Sequence, residues 1–497
     1  MVLNQKVSTI FYLLGSLLLI LGLLLLLPIF FIVIYNEESV LYISFIIPAL
    51  LAIIFGLILT RVNKEKIKLT LTNSMLVCGL GWIVASVIGA LPFRLGLNKS
   101  FIDSFFEAVS GFTTTGITVF QGLEYMPRSI LFWRSFIQWV GGLGILTFFL
   151  VVTFRSEGEI WQLFDAESHK IDTSRPVPNV MKTVKILWSI YIGFTILQML
   201  LLIIFQTSFY DALVHSLTSI STGGFSSYDS SIGHFKEIGH PFYRQIEYIF
   251  IFFMLMGGIN FLVHFKVITG NFREMILDEE IRYFWGLIMG ALIIIFINRA
   301  VVNGGLDLTA LEADFRKTLF QIVALATSTG YGTEYIGSPF FPALARQLFM
   351  LLMLIGGCVG STAGGFKVLR VAILHKLFKR ELKKIYLPKN AVIPVTIDRE
   401  IIKDEEVMKI AALFFAWLAL ILVGSGITAL FSNLDAFEAA SGMFSAVGNM
   451  GPFYFSVEEM ASMSSGIKLT YIIGMLAGRL EVLPIFIIFT KQAWKWE

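Results

Sequence analysis

The sequence predicts an all-α membrane protein: ten transmembrane helices plus four short re-entrant pore helices, arranged as four helix–pore loop–helix repeats around a central pore. Three observations carry this prediction. They are long apolar runs, basic residues gathered into alternate loops, and one helix–loop–helix pattern that returns four times. Of the 497 residues, 56% are hydrophobic and only 15% charged, against roughly a quarter charged in a soluble domain. No stretch has the composition of a sizeable soluble domain, and none is of low complexity.

About 20 apolar residues cross a bilayer core as a helix. Ten stretches meet that requirement: 10–34, 41–60, 71–92, 129–153, 183–205, 245–268, 282–299, 344–372 (interrupted), 406–430 and 467–490. The first is too long, and too poor in a small-residue cleavage site, for a signal peptide. Four apolar stretches near 102–113, 210–221, 316–328 and 437–448 are too short to cross; they suit re-entrant segments or buried core helices. The chain thus divides into an extra pair of helices (1–68) and four repeats (69–180, 181–280, 281–400 and 401–497).

Orientation follows from lysine and arginine placement. Arg61, Lys64, Lys66 and Lys68 lie between the second and third spans. Arg155, Lys170, Arg175, Lys182 and Lys185 lie between the fourth and fifth, and Lys266, Arg273 and Arg282 follow the sixth. Eleven basic residues run from Lys367 to Lys409. With ten spans all these loops share one side, the cytoplasm, together with both termini. The short stretches then lie outside, as do Arg94, Lys99, Lys236, Arg316 and Lys317. The net charge of +3 says little beside this placement.

The repeat is seen in four loops. The chain reads Thr113-Thr114-Thr115-Gly116, then Ser221-Thr222-Gly223-Gly224, then Thr327-Ser328-Thr329-Gly330, and finally Gly448-Asn449-Met450-Gly451-Pro452. Gly116, Gly224, Gly330 and Gly451 are 108, 106 and 121 residues apart. Asp103 and Asp211 stand 13 residues before their glycines, where the third and fourth units have Lys317 and Glu438. An apolar helix with a glycine pair or near-pair follows each loop: Gly141-Gly142, Gly257-Gly258, Gly356-Gly357, and Gly474 with Gly478. Arg134, Arg244 and Arg346 open three of these helices.

Irregular backbone at membrane depth is tolerated where it is buried in protein or lines a wet cavity. Glycine permits positive φ, so successive carbonyls can turn to one side. Four such loops around an axis would form rings of carbonyl oxygens that replace a cation's hydration shell. Carbonyl rings without carboxylates suit a large, weakly hydrated ion such as potassium. The short helices would aim the negative ends of their dipoles at it. Each glycine taken alone is equally compatible with an ordinary helix cap. Asp103 and Asp211 fit capping of the short helices, or attraction of cations at the outer mouth.

At these residues the sequence resembles the TrkH family of potassium-uptake proteins, within the superfamily that includes the KtrB and plant HKT transporters. The four loop motifs carry the likeness, together with the run Gly356-Gly357-Cys358-Val359-Gly360-Ser361-Thr362-Ala363-Gly364-Gly365-Phe366-Lys367. It covers nearly the whole chain, and the N-terminal helix pair matches TrkH-like rather than KtrB-like members. The resemblance implies a potassium filter of Thr114, Thr115, Gly116, Thr222, Gly223, Gly224, Ser328, Thr329, Gly330, Asn449, Met450 and Gly451. It also implies an intramembrane gating loop of Gly356, Gly357, Gly360, Ser361, Thr362, Ala363, Gly364 and Gly365, and a pore arginine at Arg479. The ion itself would be the cargo, bound by the filter residues, with channel-like flux and symport both open.

The family further implies a homodimer in the bacterial inner membrane and a cytosolic TrkA-like ring of regulatory domains. No covalent cofactor is expected. Any nucleotide, whether ATP, ADP or NAD, would bind only the partner, because Gly142-Leu143-Gly144 lies inside a span and makes no Rossmann motif. Lipid is the surrounding partner, and nucleic acid is not one. The fourth loop departs from the Thr/Ser-Gly pattern, and its Gly451 is preferred over Gly448 for the proline that follows. Glycine rather than serine at Gly116 favours potassium. A sodium-permeant or sodium-coupled transporter of the same architecture is the alternative.

The 356–365 run contains five glycines. Each interior glycine costs a helix about 1 kcal/mol relative to alanine, so a break there is expected; close packing through small residues is the other reading. Arg479 lies in the last apolar span, where a charge is expensive and usually functional. Pairing with a lipid phosphate is its alternative, and Glu481, two residues on, faces elsewhere. The basic residues Lys376, Lys379, Arg380, Lys383, Lys384 and Lys389 fit either anionic lipid or a docked cytosolic ring. Cys78 and Cys358 lie in apolar segments and read as packing residues. His169, His215, His234, His240, His264 and His375 have no metal-binding spacing. No paired catalytic aspartates, Ser/His constellation or HExxH motif appears, so an enzyme is not expected.

Overall fold

The computed structural model describes residues 5–61, 71–144, 180–305, 309–388, 391 and 393–494. The expected extension of the fourth span to 153 lies outside the described residues, as do Lys64, Lys66, Lys68, Arg155, His169, Lys170, Arg175 and Lys389. Six helices are long and apolar enough to cross a membrane: Val7–Tyr35, Val40–Thr60, Thr72–Gly96, Lys182–Ile204, Glu279–Val302 and Asp404–Phe431. A seventh span results if the bent pair Tyr243–Gly258 and Phe261–Ile268 is counted as one. Wide apolar faces of these helices are exposed, as at Ile43, Ile54, Ile293, Phe415 and Leu422. Apolar surface on that scale belongs against lipid.

The first two helices pack on each other through small residues. A Cβ on Gly15 would stand 2.8 Å from the Leu59 side chain, and one on Gly56 2.8 Å from Leu19. Beyond them one unit recurs: a long helix, a short helix, a loop and a half-length helix. The short helices are Phe101–Phe112, Phe209–Ile220, Leu311–Ala326 and Ala436–Gly448. The half-length helices are Arg128–Gly142, Tyr243–Gly258, Ala343–Ile355 and Ser465–Arg479. Every short helix packs on the half-length helix of the preceding unit, and the first packs on that of the fourth, closing the circle.

Local sequence explains where the short helices begin. The Ser100 hydroxyl accepts from the Asp103 N–H, and the Ser208 hydroxyl from the Asp211 N–H. Asp435 and Glu438 make a reciprocal capping box. Each cap satisfies one of the donors that a helix start leaves open. Asp103 and Asp211 therefore sit in the first turn behind a serine cap, and Asp103 also receives the Lys468 ammonium at 2.5 Å.

The half-length helices differ from the sequence expectation. Only the 344–372 span was expected to be interrupted, yet every helix after a loop ends within 16 residues. The first ends at Gly142, the second turns by 102° at Ile259–Asn260, and the fourth ends at Arg479. The glycines bring these ends against the short helices. A Cβ on Gly141 would run into the Phe112 carbonyl, one on Gly478 into that of Val447, and one on Gly257 would meet that of Ile220 at 3.0 Å. Those three carbonyls occupy the same place, four residues before the loop glycine. Close packing and helix interruption, weighed as alternatives for the third unit, are here one device.

Candidate functional site

The four loops share one backbone conformation. Thr114, Thr222, Ser328 and Asn449 have φ of 53°, 51°, 54° and 52°, and the glycines two residues later have φ of 81°, 72°, 80° and 97°. The register that took Gly451 over Gly448 is therefore the one the backbone repeats. In each loop the left-handed residue donates three residues back, as Thr114 to Gly111 and Ser328 to Leu325. The next residue donates five back: Thr115 to Ser110, Gly223 to Thr218, Thr329 to Ala324 and Met450 to Ser445, at 2.8–3.0 Å. This paired closure is the Schellman cap. A β-branched residue in the left-handed region is uncommon. Thr114 and Thr222 hold it because the cap fixes them, and such strain gathers at functional positions.

With the N–H groups of their first two residues turned back into the helices, the loops have carbonyl oxygens left to offer the axis. Their mutual contacts form a ring. A Cβ on Gly116 would run into the Gly223 carbonyl oxygen, one on Gly224 into that of Thr329, and one on Gly330 into that of Met450. One on Gly451 would come within 3.1 Å of that of Thr115. First touches second, second third, third fourth, and fourth first.

On one side of the ring opens a cavity of about 660 Å³, lined by all four loop glycines and by Asp229, Glu237, Glu334 and Glu458. The cavity on the other side, about 110 Å³, is lined by residues 359–361 and 363–365 and by Lys367 and Arg479. A segment from Gly356 to Gly365 leaves the Ala343–Ile355 helix there and returns to Val368–Tyr386. Its ends meet: a Cβ on Gly356 would stand 2.7 Å from the Gly365 Cα. Gly356, Gly360 and Gly365 have φ of 73°, 74° and 81°, which explains the glycines.

The segment is stitched to the loops. The Thr362 hydroxyl donates to the Ile220 carbonyl at 2.8 Å and receives the Thr222 hydroxyl at 3.2 Å. The Gly364 N–H donates to Ser328 Oγ at 2.5 Å. The Arg479 guanidinium donates to Thr362 O at 2.8 Å, Thr114 Oγ1 at 3.1 Å, Gly141 O at 2.7 Å and Gly142 O at 2.6 Å. It thus caps the first half-length helix and ties the 356–365 segment to the first loop. Those partners are protein oxygens, not lipid phosphate. All 21 sequence-named site residues fall in this one assembly.

Sequence reasoning missed the contacts that hold it. Glu481 receives Arg370 at 2.5 Å. Glu280 accepts the N–H groups of Val359 at 2.7 Å and Leu369 at 3.1 Å, one within the segment and one beyond it. Glu107 and Arg134 pair at 2.6 Å with almost no exposure, and Glu107 also accepts from Thr118 and Val119. Their signal was present as charge within apolar helices, but their partners lie far off in sequence. His215 bonds Asp211 O and Ser226, and His264 bonds Met256 O. No cluster of His, Cys, Asp or Glu among the described residues could hold a metal ion. Lys376, Arg380 and Lys384 pair with Glu279, Asp404 and Glu381, so part of the basic run is engaged within the chain.

The comparisons with known proteins agree with this architecture. The TrkH family, described as a cation transport protein, matches residues 43–496. A cation transporter of Methanocaldococcus jannaschii is 34% identical, covering 99% of this chain and 97% of its own. The Trk system potassium uptake protein TrkH of Escherichia coli is 32% identical over 87% of this chain and 88% of its own. The crystal structure of the potassium transporter TrkH from Vibrio parahaemolyticus superposes with a TM-score of 0.85 at 28% identity, covering 98% of this chain and 99% of that one. A family match across nearly all the chain, on a multi-pass helical fold with these four loops, makes this protein a member of the TrkH family of cation transport proteins.

Proposed function

We propose that the chain takes up potassium through the axis of the four repeats. The ring of loop contacts carries this reading: four like caps turn back the amide groups of the first two loop residues, and each loop glycine meets a carbonyl oxygen of the next loop. Such oxygens replace the hydration shell of a large monovalent cation. The acidic lining of the wider cavity favours cation entry from that side. The names of the Escherichia coli and Vibrio relatives point to potassium, as does glycine at Gly116. The filter is the set Thr114–Gly116, Thr222–Gly224, Ser328–Gly330 and Asn449–Gly451, within repeats bounded at 69–180, 181–280, 281–400 and 401–497. The 356–365 segment and Arg479 form the gate, because two cations, Arg479 and Lys367, border the narrow side.

The same reading makes the chain a homodimer of the inner membrane with both termini cytoplasmic. A cytosolic ring protein controls the gate and carries any nucleotide. The test is growth of a potassium-uptake-deficient bacterium on low potassium, with and without a co-expressed ring protein, joined to flux in proteoliposomes. Rescue, with potassium flux exceeding sodium flux, is expected. Equal or greater sodium flux would establish the sodium-permeant alternative, and no flux of either ion would end the reading.

A further inference from the structure

The middle residue of each loop is held differently. Thr115 bonds through its hydroxyl to Thr113 Oγ1 at 2.7 Å and receives Asn449 Nδ2 at 2.8 Å. Thr329 bonds likewise to Thr327 Oγ1 at 2.7 Å. Met450 is fully buried among apolar neighbours. The second loop has Gly223 at this place, with no side chain to anchor it. Gly223 is also absent from the positive-φ glycines, so its backbone conformation does not demand glycine.

Space does. A Cβ on Gly223 would collide with the side-chain amide of Gln138, its Nε2 lying at 2.8 Å. Gln138 belongs to the half-length helix of the first unit and is fully buried. Its Nε2 donates to the Gly223 carbonyl at 2.7 Å, and its Oε1 accepts from the Phe225 N–H at 3.0 Å. One helical turn earlier, Arg134 donates to the Ser226 carbonyl at 2.8 Å and lies over the Phe225 ring at 3.5 Å. One face of this helix therefore grips residues 223–226. The amide nitrogen and oxygen each bond one of the two peptide groups flanking Gly224.

We propose that Gln138 is a positioning residue for ion selection: its amide takes the place of the missing side chain at Gly223 and fixes where the second loop presents its oxygens. This rests on the carbonyl-filter reading. Selection by carbonyl groups depends on their number and on how freely they shift toward an ion, and two neutral hydrogen bonds restrain such a shift by about 1 kcal/mol each. Gln138 anchors from a neighbouring helix the position that the first and third loops anchor within themselves through a pair of threonine hydroxyls.

The comparison also supplies a compensating change. Ser221 stands two residues before Gly223, as Thr113 stands before Thr115 and Thr327 before Thr329. Gly223→Thr combined with Gln138→Ala vacates the amide and gives the second loop the hydroxyl pair of its neighbours. The test measures potassium and sodium flux in proteoliposomes, with thermal melting alongside, for wild type, Gln138→Leu and the double variant. Gln138→Leu should lower the potassium-to-sodium flux ratio about tenfold, equivalent to 1.4 kcal/mol. The double variant should recover most of that ratio. A Gln138→Leu protein with the wild-type ratio overturns the proposal. Should that variant fail to fold, a folded double variant without discrimination overturns it equally. Wild-type protein lacking any potassium preference would instead sink the filter reading itself, whatever the variants do.

Discussion

Arg479 puts three hydrogen bonds on two neighbouring structures, the end of the Arg128–Gly142 helix and the 356–365 segment. A guanidinium does this because its donors form a planar fork, which a lysine ammonium lacks. Its bond to Thr114 also reaches the strained first residue of a loop. Replacing Arg479 with alanine removes one of the two cations on the narrow side and releases the Thr362 carbonyl at once. Potassium flux without the regulatory partner should rise several-fold, with Arg479→Lys between the two, because it keeps the charge and loses the fork. Proteoliposome flux with and without the ring protein measures this; equal basal flux in all three proteins would remove Arg479 from the gate. The arginine was legible in the sequence as a charge within an apolar run. Its partners were not, because Gly141, Gly142 and Thr362 lie more than a hundred residues upstream and offer only backbone oxygens, which leave no trace in residue identity.

At the scale of elements, glycine is informative about position but not about consequence. The pairs at Gly141-Gly142 and Gly257-Gly258 stood out in the sequence, yet hydropathy carried the helices across them. Hydropathy measures whether a segment tolerates lipid, not whether its axis is straight. The third interruption was legible because five glycines gather there, whereas the others needed the close approach to Phe112 and Val447 to become visible. The latch on the third interruption is Glu280, which accepts from Val359 and Leu369. Its neighbour Glu279 exchanges two hydrogen bonds with Asp398, in the turn of the small hairpin formed by Val395–Ile397 and Glu400–Ile402. Adjacent residues thus join that hairpin to the 356–365 segment. Hydrogen bonds of this kind contribute about 0.5–1.5 kcal/mol each. Glu280→Ala should therefore loosen the segment and raise partner-independent flux several-fold, whereas Glu280→Gln keeps an acceptor oxygen and should stay near wild type. Hydrogen exchange at 356–369 gives a second readout. Unaltered protection there in the alanine variant would show that Glu280 does not hold the segment.

For the whole molecule, fourfold order was readable from loop spacing alone, but the sequence of neighbours around the ring was not. That order depends on each short helix lying against the half-length helix of the unit before it, a matter of packing between distant residues. It follows that the loops are mutually dependent: Gly116, Gly224, Gly330 and Gly451 each face an oxygen of another unit. A cation bound by oxygens from all four units would bind the native chain and not the unfolded one. Such a ligand stabilises by about 2.7 kcal/mol at a hundred times its dissociation constant. Potassium should therefore raise the melting temperature of the purified protein by a few degrees in a saturable manner, and sodium at equal ionic strength should raise it less. Holding ionic strength constant with a bulky organic cation separates binding from screening of the exposed charges. Gly330→Ala, which forces a Cβ against the Met450 carbonyl, should abolish the potassium increment while leaving the small general salt effect. Equal increments for potassium, sodium and the organic cation would mean that no site is shared by the four units, and the ring would then be packing alone.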